Sequence, residues 1–262
     1  MNTPIVLSIA GSDCSAGAGL QADPKTFGAM GCHGLTVATC VVAETPLEVR
    51  SIHPIPTEFF KDQLEILLES YPIDAIKTGL LCSPEQIAIV CELLPDRDIP
   101  LVVDPVMVAT SGDLLLQQTA IQTLIDELLP LATLTTPNLP EAATLLNTNV
   151  PDSEQAVREQ IPALQQLPTK AVLLKGGHLE SLPDSNDWLI TNGDVQTFTT
   201  PRIDTQNTHG TGCTLSSAIA SYLAQGADLT SAVQQAKDYL TGAIAASNQL
   251  QIGQGHGPVH HC

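Results

Sequence analysis

The sequence predicts an α/β protein: an open, mainly parallel sheet with helices on both faces and a small antiparallel hairpin near the end of the chain. Two observations carry this. Short β-branched runs alternate with segments of helical periodicity along the chain, the signature of repeated βα units joined by crossovers. The composition is 43% hydrophobic but only 3% aromatic, so the core must be built from Ala, Val, Ile and Leu, which suits strands buried on both faces. With neither an internal repeat nor a low-complexity linker, residues 1–262 are expected to form one domain.

Each element has its own local reason. Ile5 to Ile9 reads as a buried strand running into a Gly/Ser turn. Thr36 to Ala43 is a second apolar run, with Val49 to His53 as a short partner. Thr57 to Ser70 has helical spacing at Phe60, Leu64, Leu67 and Leu68, with Thr57 in the N-cap position. Ala75 to Thr78 is a short strand. Ser83 then opens a helix, with Pro84 in its first position and Glu85 and Gln86 in its first turn. Leu101 to Val103 is a strand ending at Asp104, and Thr119 to Leu129 is helical. Leu134 to Thr136 runs into Pro137-Asn138, followed by short helices at Glu141 to Leu146 and Ser153 to Leu167. Ala171 to Leu174 is a strand ending at Lys175. Trp188 to Thr191 and Val195 to Phe198, joined by Asn192-Gly193, form a hairpin. Ala-rich helices at Thr214 to Ala224 and Leu229 to Leu250 follow, and His260, His261 and Cys262 read as a loose surface terminus.

Ten Lys plus Arg stand against 28 Asp plus Glu, a net charge of −18. Such a surface repels nucleic acid, yet a small anion can still be held by oriented amides, a lysine and a metal ion. The first ten residues lack the basic region of a signal peptide, and no window approaches the length of a membrane span. The seven cysteines are scattered, with no CxxC pair. These features point to a cytoplasmic protein with neither a disulfide framework nor a zinc site.

Ligands in open α/β sheets bind beyond the carboxyl ends of the strands. Polar residues and glycines gather at those ends: Gly11 to Asp13, Glu44, Lys77, Asp104, Asn138 and Lys175. Thr208-His209-Gly210-Thr211-Gly212-Cys213 precedes a long Ala-rich helix. Glycines there let several N–H groups converge on one anion, beside the positive end of the helix dipole. Asn138 and Glu141, three residues apart, suit either a helix cap or the organisation of Mg²⁺ and its water. Asp23 before Pro24 suits either an N-cap or a substrate contact. Lys175 closes a strand that reads as buried, where a lysine needs an anionic partner. Gly17-Ala18-Gly19-Leu20-Gln21-Ala22 matches a dinucleotide fingerprint, although Gly11 to Ala16 separate it from its strand.

Together these segments resemble the hydroxymethylpyrimidine kinase branch of the ribokinase-like family. The likeness runs nearly end to end. It rests on Gly11-Ser12-Asp13 through Phe27, Thr136-Pro137-Asn138-Leu139-Pro140-Glu141-Ala142, Leu174-Lys175-Gly176-Gly177-His178, Asn207 through Thr214, and Gly257-Pro258-Val259-His260-His261. The resemblance implies a three-layer α/β/α sandwich, a homodimer, and ATP- and Mg²⁺-dependent phosphorylation of 4-amino-5-hydroxymethyl-2-methylpyrimidine and then of its monophosphate. It implies that Gly11, Asp23, Glu44, Leu80 and Val106 contact the pyrimidine. Gly210, Thr211, Gly212 and Cys213 would form the anion hole, with Cys213 in the place of the base. If the helix N-terminus lowers its pKa, a Cys213 thiolate would assist the first phosphorylation; a packing role is the alternative. Asp104, Asn138, Glu141, Lys175, Thr208 and His209 would serve ATP, with Asp104 and Glu141 directed to Mg²⁺, directly or through water.

The chain departs from the family pattern in places. Glu44-Thr45 stand where the best-known members have Gln-Asn, Leu80 where they have Met, Ala16 for a glycine and Pro24 for a leucine. Glu44 and Leu80 bear on substrate preference rather than on phosphoryl transfer. Pyridoxal kinase is the same-class alternative. A Rossmann-type NAD-dependent oxidoreductase and a non-catalytic nucleotide sensor are the alternatives from other classes.

Overall fold

The computed structural model describes residues 3–94, 98–107, 116–179, 182–252 and 254–261. Its strands are β1 (Ile5–Asp13), β2 (His33–Thr45), β3 (Glu48–Pro54), β4 (Ala75–Thr78), β5 (Leu101–Val103), β6 (Leu134–Thr135), β7 (Ala171–Lys175), β8 (Asp184–Thr191) and β9 (Asp194–Pro201). They form one sheet in the order β3-β2-β1-β4-β5-β6-β7-β8-β9. From β2 through β1 to β7 the pairing is parallel. β3 is antiparallel to β2 at one edge, and β8 and β9 extend the other edge antiparallel.

The helices are α1 (Gly19–Ala29), α2 (Thr57–Ser70), α3 (Pro84–Leu93), α4 (Gln118–Thr123), α5 (Leu139–Leu146), α6 (Glu154–Leu164), α7 (Thr211–Ala224) and α8 (Leu229–Ser247). Alternation along the strands sorts them into two layers. Leu7 and Ile9 of β1 pack with Phe60 and Leu64 of α2 and Ile87 and Val90 of α3. On that same face Val172 and Leu174 of β7 meet Leu139 of α5 and Val157 of α6. Val6 and Leu173 point the other way, into a cluster with Leu215 and Ile219 of α7 and Ala232 and Val233 of α8. Each large aliphatic side chain so buried contributes about 1.5–3 kcal/mol of transfer free energy.

Several local expectations are corrected. Thr57 is the first residue of α2, and Pro56 is its N-cap. The helix expected over Thr119 to Leu129 is α4 followed by a π-helical turn (Leu124–Leu128) and a 3-10 turn (Leu129–Leu131), where Pro130 cannot donate an α-helical hydrogen bond. α7 starts at Thr211, because Gly210 takes a left-handed cap conformation with φ 80°. The C-terminal segment is docked rather than loose. Gly257 O accepts from His209 N at 3.0 Å, and Val259 and His261 are buried. Thr214 Oγ1 lies 3.2 Å from His261 Nε2, whose pKa burial drives down to about 4. Cys262 lies outside the described residues.

Candidate active site

The order of the sheet reverses around β1, with β2 on one side and β4 on the other, and a cleft of about 950 Å³ opens above the strand ends. Of the strand-end and site residues singled out from the sequence, all line this cleft except Ser12, Asp23 and Lys77. Gly11, Glu44, Leu80 and Val106 wall one end. Asp104, Asn138, Glu141 and Lys175 line it, as do Thr208, His209, Gly210, Thr211, Gly212 and Cys213.

The cradle sits at the start of α7, where first-turn amides have no intrahelical acceptor. A Cβ on Gly212 would lie 3.2 Å from Lys175 Nζ and 3.7 Å from Asp104 Oδ2. The missing side chain thus keeps open the space between amides, ammonium and carboxylate. Lys175 Nζ donates to Asp104 Oδ1 at 2.9 Å and lies 3.8 Å from Glu141 Oε2. Burial opposes the charge on Lys175, but Asp104 and Glu141 outweigh it and raise its pKa to about 12. Burial would raise Asp104, yet Lys175 and Lys77 hold it below the usual carboxylate range. Burial dominates at Glu141 and lifts it to about 7 despite Lys175.

Asn138 and Glu141 form a reciprocal capping box: Glu141 N donates to Asn138 Oδ1 at 2.9 Å, and Asn138 N donates to Glu141 Oε2 at 2.7 Å. The cap therefore aims Glu141 toward Lys175 and the cleft, and the two readings of this pair are compatible.

The fingerprint at Gly17 to Ala22 is not a phosphate loop here. The N–H groups of Ser15, Gly17 and Ala18 donate to the Asp13 carboxylate at 2.6, 3.0 and 2.8 Å. His209 Nε2 lies 2.9 Å from the same carboxylate. Burial works against this charge, but the His209, Ser15 and Ala18 hydrogen bonds prevail and lower it to about 2. A side chain on Gly17 would collide with the His209 ring, and one on Gly210 with the Gly17 carbonyl. Asp13 thus locks the β1–α1 loop to the cradle.

Asp23 is corrected as an N-cap. It lies inside α1, whose N-cap is Ala18, and it is fully buried. Lys77 Nζ donates to its carboxylate oxygens at 3.0 and 2.8 Å, Ser217 Oγ donates at 2.8 Å, and Ser8 Oγ also donates. The pair ties α1, β1, β4 and α7 together beneath the cradle. Cys213 is corrected in its chemistry. Burial outweighs the influence of Lys77 and pushes its thiol up to about 11, so it is protonated at neutral pH. At Glu44, burial and the nearby Asp13 charge outweigh His209 and raise the carboxyl to about 7.

An anion cradle at a helix N-terminus, a lysine beside two carboxylates, and a cleft at the switch point of a mainly parallel sheet define a small-molecule kinase of the ribokinase-like fold. The sequence model of the phosphomethylpyrimidine kinase family matches residues 13–260, and the chain belongs to that family. The hydroxymethylpyrimidine/phosphomethylpyrimidine kinase of Escherichia coli (strain K12) is 45% identical over 97% of this chain and 96% of that protein. Pyridoxal kinase from Staphylococcus aureus in complex with ADP superposes with a TM-score of 0.90 at 34% identity, covering 100% of this chain and 94% of that one. Phosphomethylpyrimidine kinase from Clostridium difficile 630 gives a TM-score of 0.79 at 39% identity, covering 92% of this chain and 100% of that one.

Proposed function

We propose that this protein uses ATP to phosphorylate the hydroxyl of 4-amino-5-hydroxymethyl-2-methylpyrimidine, and then the resulting monophosphate, in thiamine biosynthesis. The observation that carries the reading is the single cleft that joins a small apolar end at Gly11, Leu80 and Val106, with Glu44 beside it, to the amide cradle and Lys175. The names of the relatives agree with it.

The chemistry is positioning plus electrostatics. The first-turn amides of α7 face the moving phosphoryl group, and Lys175 offsets charge on it. Cys213, protonated at neutral pH, shapes the cradle rather than acting as a thiolate base. The hydroxyl is made to react by alignment: its oxygen bonds to the γ-phosphorus as the bond to ADP breaks, and its proton passes to a transferred-phosphate oxygen or to water. In the second step the phosphate monoester, whose second pKa is about 6, is already ionised.

Asp104 and Glu141 fit Mg²⁺ in the way that ion binds beside nucleotides, through one or two carboxylates with phosphates and waters completing the shell. Among the described residues no group of three or more His, Cys, Asp and Glu side chains could cage a metal by itself. Mg²⁺ there would supply charge neutralisation across the phosphates. The reading includes a homodimer and a cytoplasmic location; among the described residues no helix is long and apolar enough to cross a membrane.

Pyridoxal is the competing substrate because of the likeness to pyridoxal kinase. ADP formation measured in parallel with the pyrimidine, its monophosphate and pyridoxal tests the reading. Turnover of both pyrimidines at higher kcat/KM than pyridoxal is expected. Turnover of pyridoxal alone would overturn it.

A further inference from the structure

The end of the cleft remote from Glu44 is walled by β8, β9 and α8, and two cations there have no role in the chemistry above. Lys237 on α8 is only 4% exposed. Its Nζ donates to Asp187 Oδ2 at 2.6 Å, and Asp187 Oδ1 accepts from the backbone N–H of Gly176 at 2.9 Å. Gly176 directly follows Lys175. A Cβ on it would collide with the Asn186 carbonyl and crowd the Trp188 ring, so the backbone at this turn is pressed onto β8.

Arg202, just beyond β9, grips the same turn. Its Nη1 donates to Gly177 O at 2.9 Å, its Nη2 to Leu179 O at 3.0 Å and its Nε to Leu182 O at 3.2 Å. These acceptors are neutral carbonyls, so the bonds themselves do not cancel the guanidinium charge. Burying an ammonium and a carboxylate is costly unless the pair is close and its remaining lone pairs are hydrogen-bonded, which ties Asp187 to the Gly176 N–H. A guanidinium spread over three carbonyls fixes a backbone in a way a point charge cannot. Gly177, Asp187, Arg202 and Lys237 all line the cleft.

We propose that Lys237, acting through Asp187, and Arg202 are positioning residues for the nucleotide. They hold the turn after β7, and Lys175 with it, in the geometry that receives a nucleoside triphosphate. The inference rests on the kinase reading and adds residues to it.

The test is calorimetric titration with a non-hydrolysable ATP analogue, alongside the KM for the pyrimidine. Lys237→Met strands the Asp187 carboxylate and should weaken the analogue about tenfold or more. In the double variant Asp187→Asn/Lys237→Met the amide oxygen still accepts from Gly176 N–H and no charge is stranded. Its affinity should return to within about threefold of wild type. Arg202→Met should weaken the analogue about tenfold, and the pyrimidine KM should stay within about twofold throughout.

Wild-type affinity in Lys237→Met, or a double variant as weak as the single, overturns the positioning role. So does a pyrimidine KM that rises in step with nucleotide Kd. If Lys237→Met does not fold, the double variant and Arg202→Met decide: the double variant must bind close to wild type and Arg202→Met weakly. A wild type that binds no analogue contradicts the kinase reading itself.

Discussion

Glu44 should make pyrimidine binding depend on pH, and Glu44→Gln should remove that dependence. A carboxylate offers two acceptors and no donor, whereas the amino edge of the pyrimidine presents an N–H donor beside a ring nitrogen acceptor. Full pairing needs one proton shared between ring and carboxyl. Glu44 is suited to hold it: the carboxyl sits half-buried, with the Asp13 charge nearby, and its pKa is raised to about 7. The Cys14 thiol donates to the Glu44 carbonyl at 3.3 Å rather than to its carboxyl. If binding requires the protonated carboxyl, affinity falls by the factor 1 + 10^(pH − pKa). Between about pH 6 and about pH 9 that is roughly ninety-fold, or about 2.7 kcal/mol. Calorimetric titration with the pyrimidine over this range measures it. A flat wild-type profile, or the same slope in Glu44→Gln, refutes the reasoning. The sign for stability is related. An acid whose folded pKa lies above its ordinary value favours the fold while protonated and loses that contribution as pH rises. Glu44→Gln should therefore gain Tm over wild type as pH climbs from about 4.5 to about 7, and hold the gain above.

Gly212→Val should leave the fold intact and abolish turnover, because added methyl groups enter the space between Lys175 and Asp104; a folded variant with near-normal ADP formation contradicts this. Asp23→Ala strands the fully buried Lys77 ammonium and should lower stability in urea by about 3–5 kcal/mol, with Asp23→Ala/Lys77→Met recovering part of it; a loss below about 1 kcal/mol would mean the pair is not structural. Ala16 holds a left-handed φ of 63°, so Ala16→Gly should raise stability by about 1 kcal/mol, and an unchanged urea midpoint would show that the loop carries no strain.

The cradle was legible because its cause is local: Gly210 and Gly212 flank Thr211 directly before an Ala-rich helix. The parallel sheet was legible from period and composition, and strand-end residues such as Asp104 and Lys175 fell into one cleft because the topology sends all parallel strand ends the same way. Asp23 was misread because its partner comes from β4, 54 residues away, and an Asp-Pro pair looks the same whether it caps a helix or sits inside one. The amides at Gly17 and Ala18 were claimed by Asp13, a contact that spacing does not reveal. The helix end alone suggests an acidified Cys213 thiol, but desolvation among its neighbours has the larger effect. Lys237 and Arg202 carried no sequence signal, since each is a single cation whose role comes from the carboxylate or carbonyls folded against it.

Phosphorus NMR of the complete reaction tests the central claim most directly. With ATP, Mg²⁺ and the hydroxymethylpyrimidine, the account predicts a monophosphate ester signal that rises and then gives way to a diphosphate ester, with two ATP consumed for each pyrimidine. A reaction that stops at the monophosphate, or ATP consumption with no pyrimidine ester formed, would contradict it.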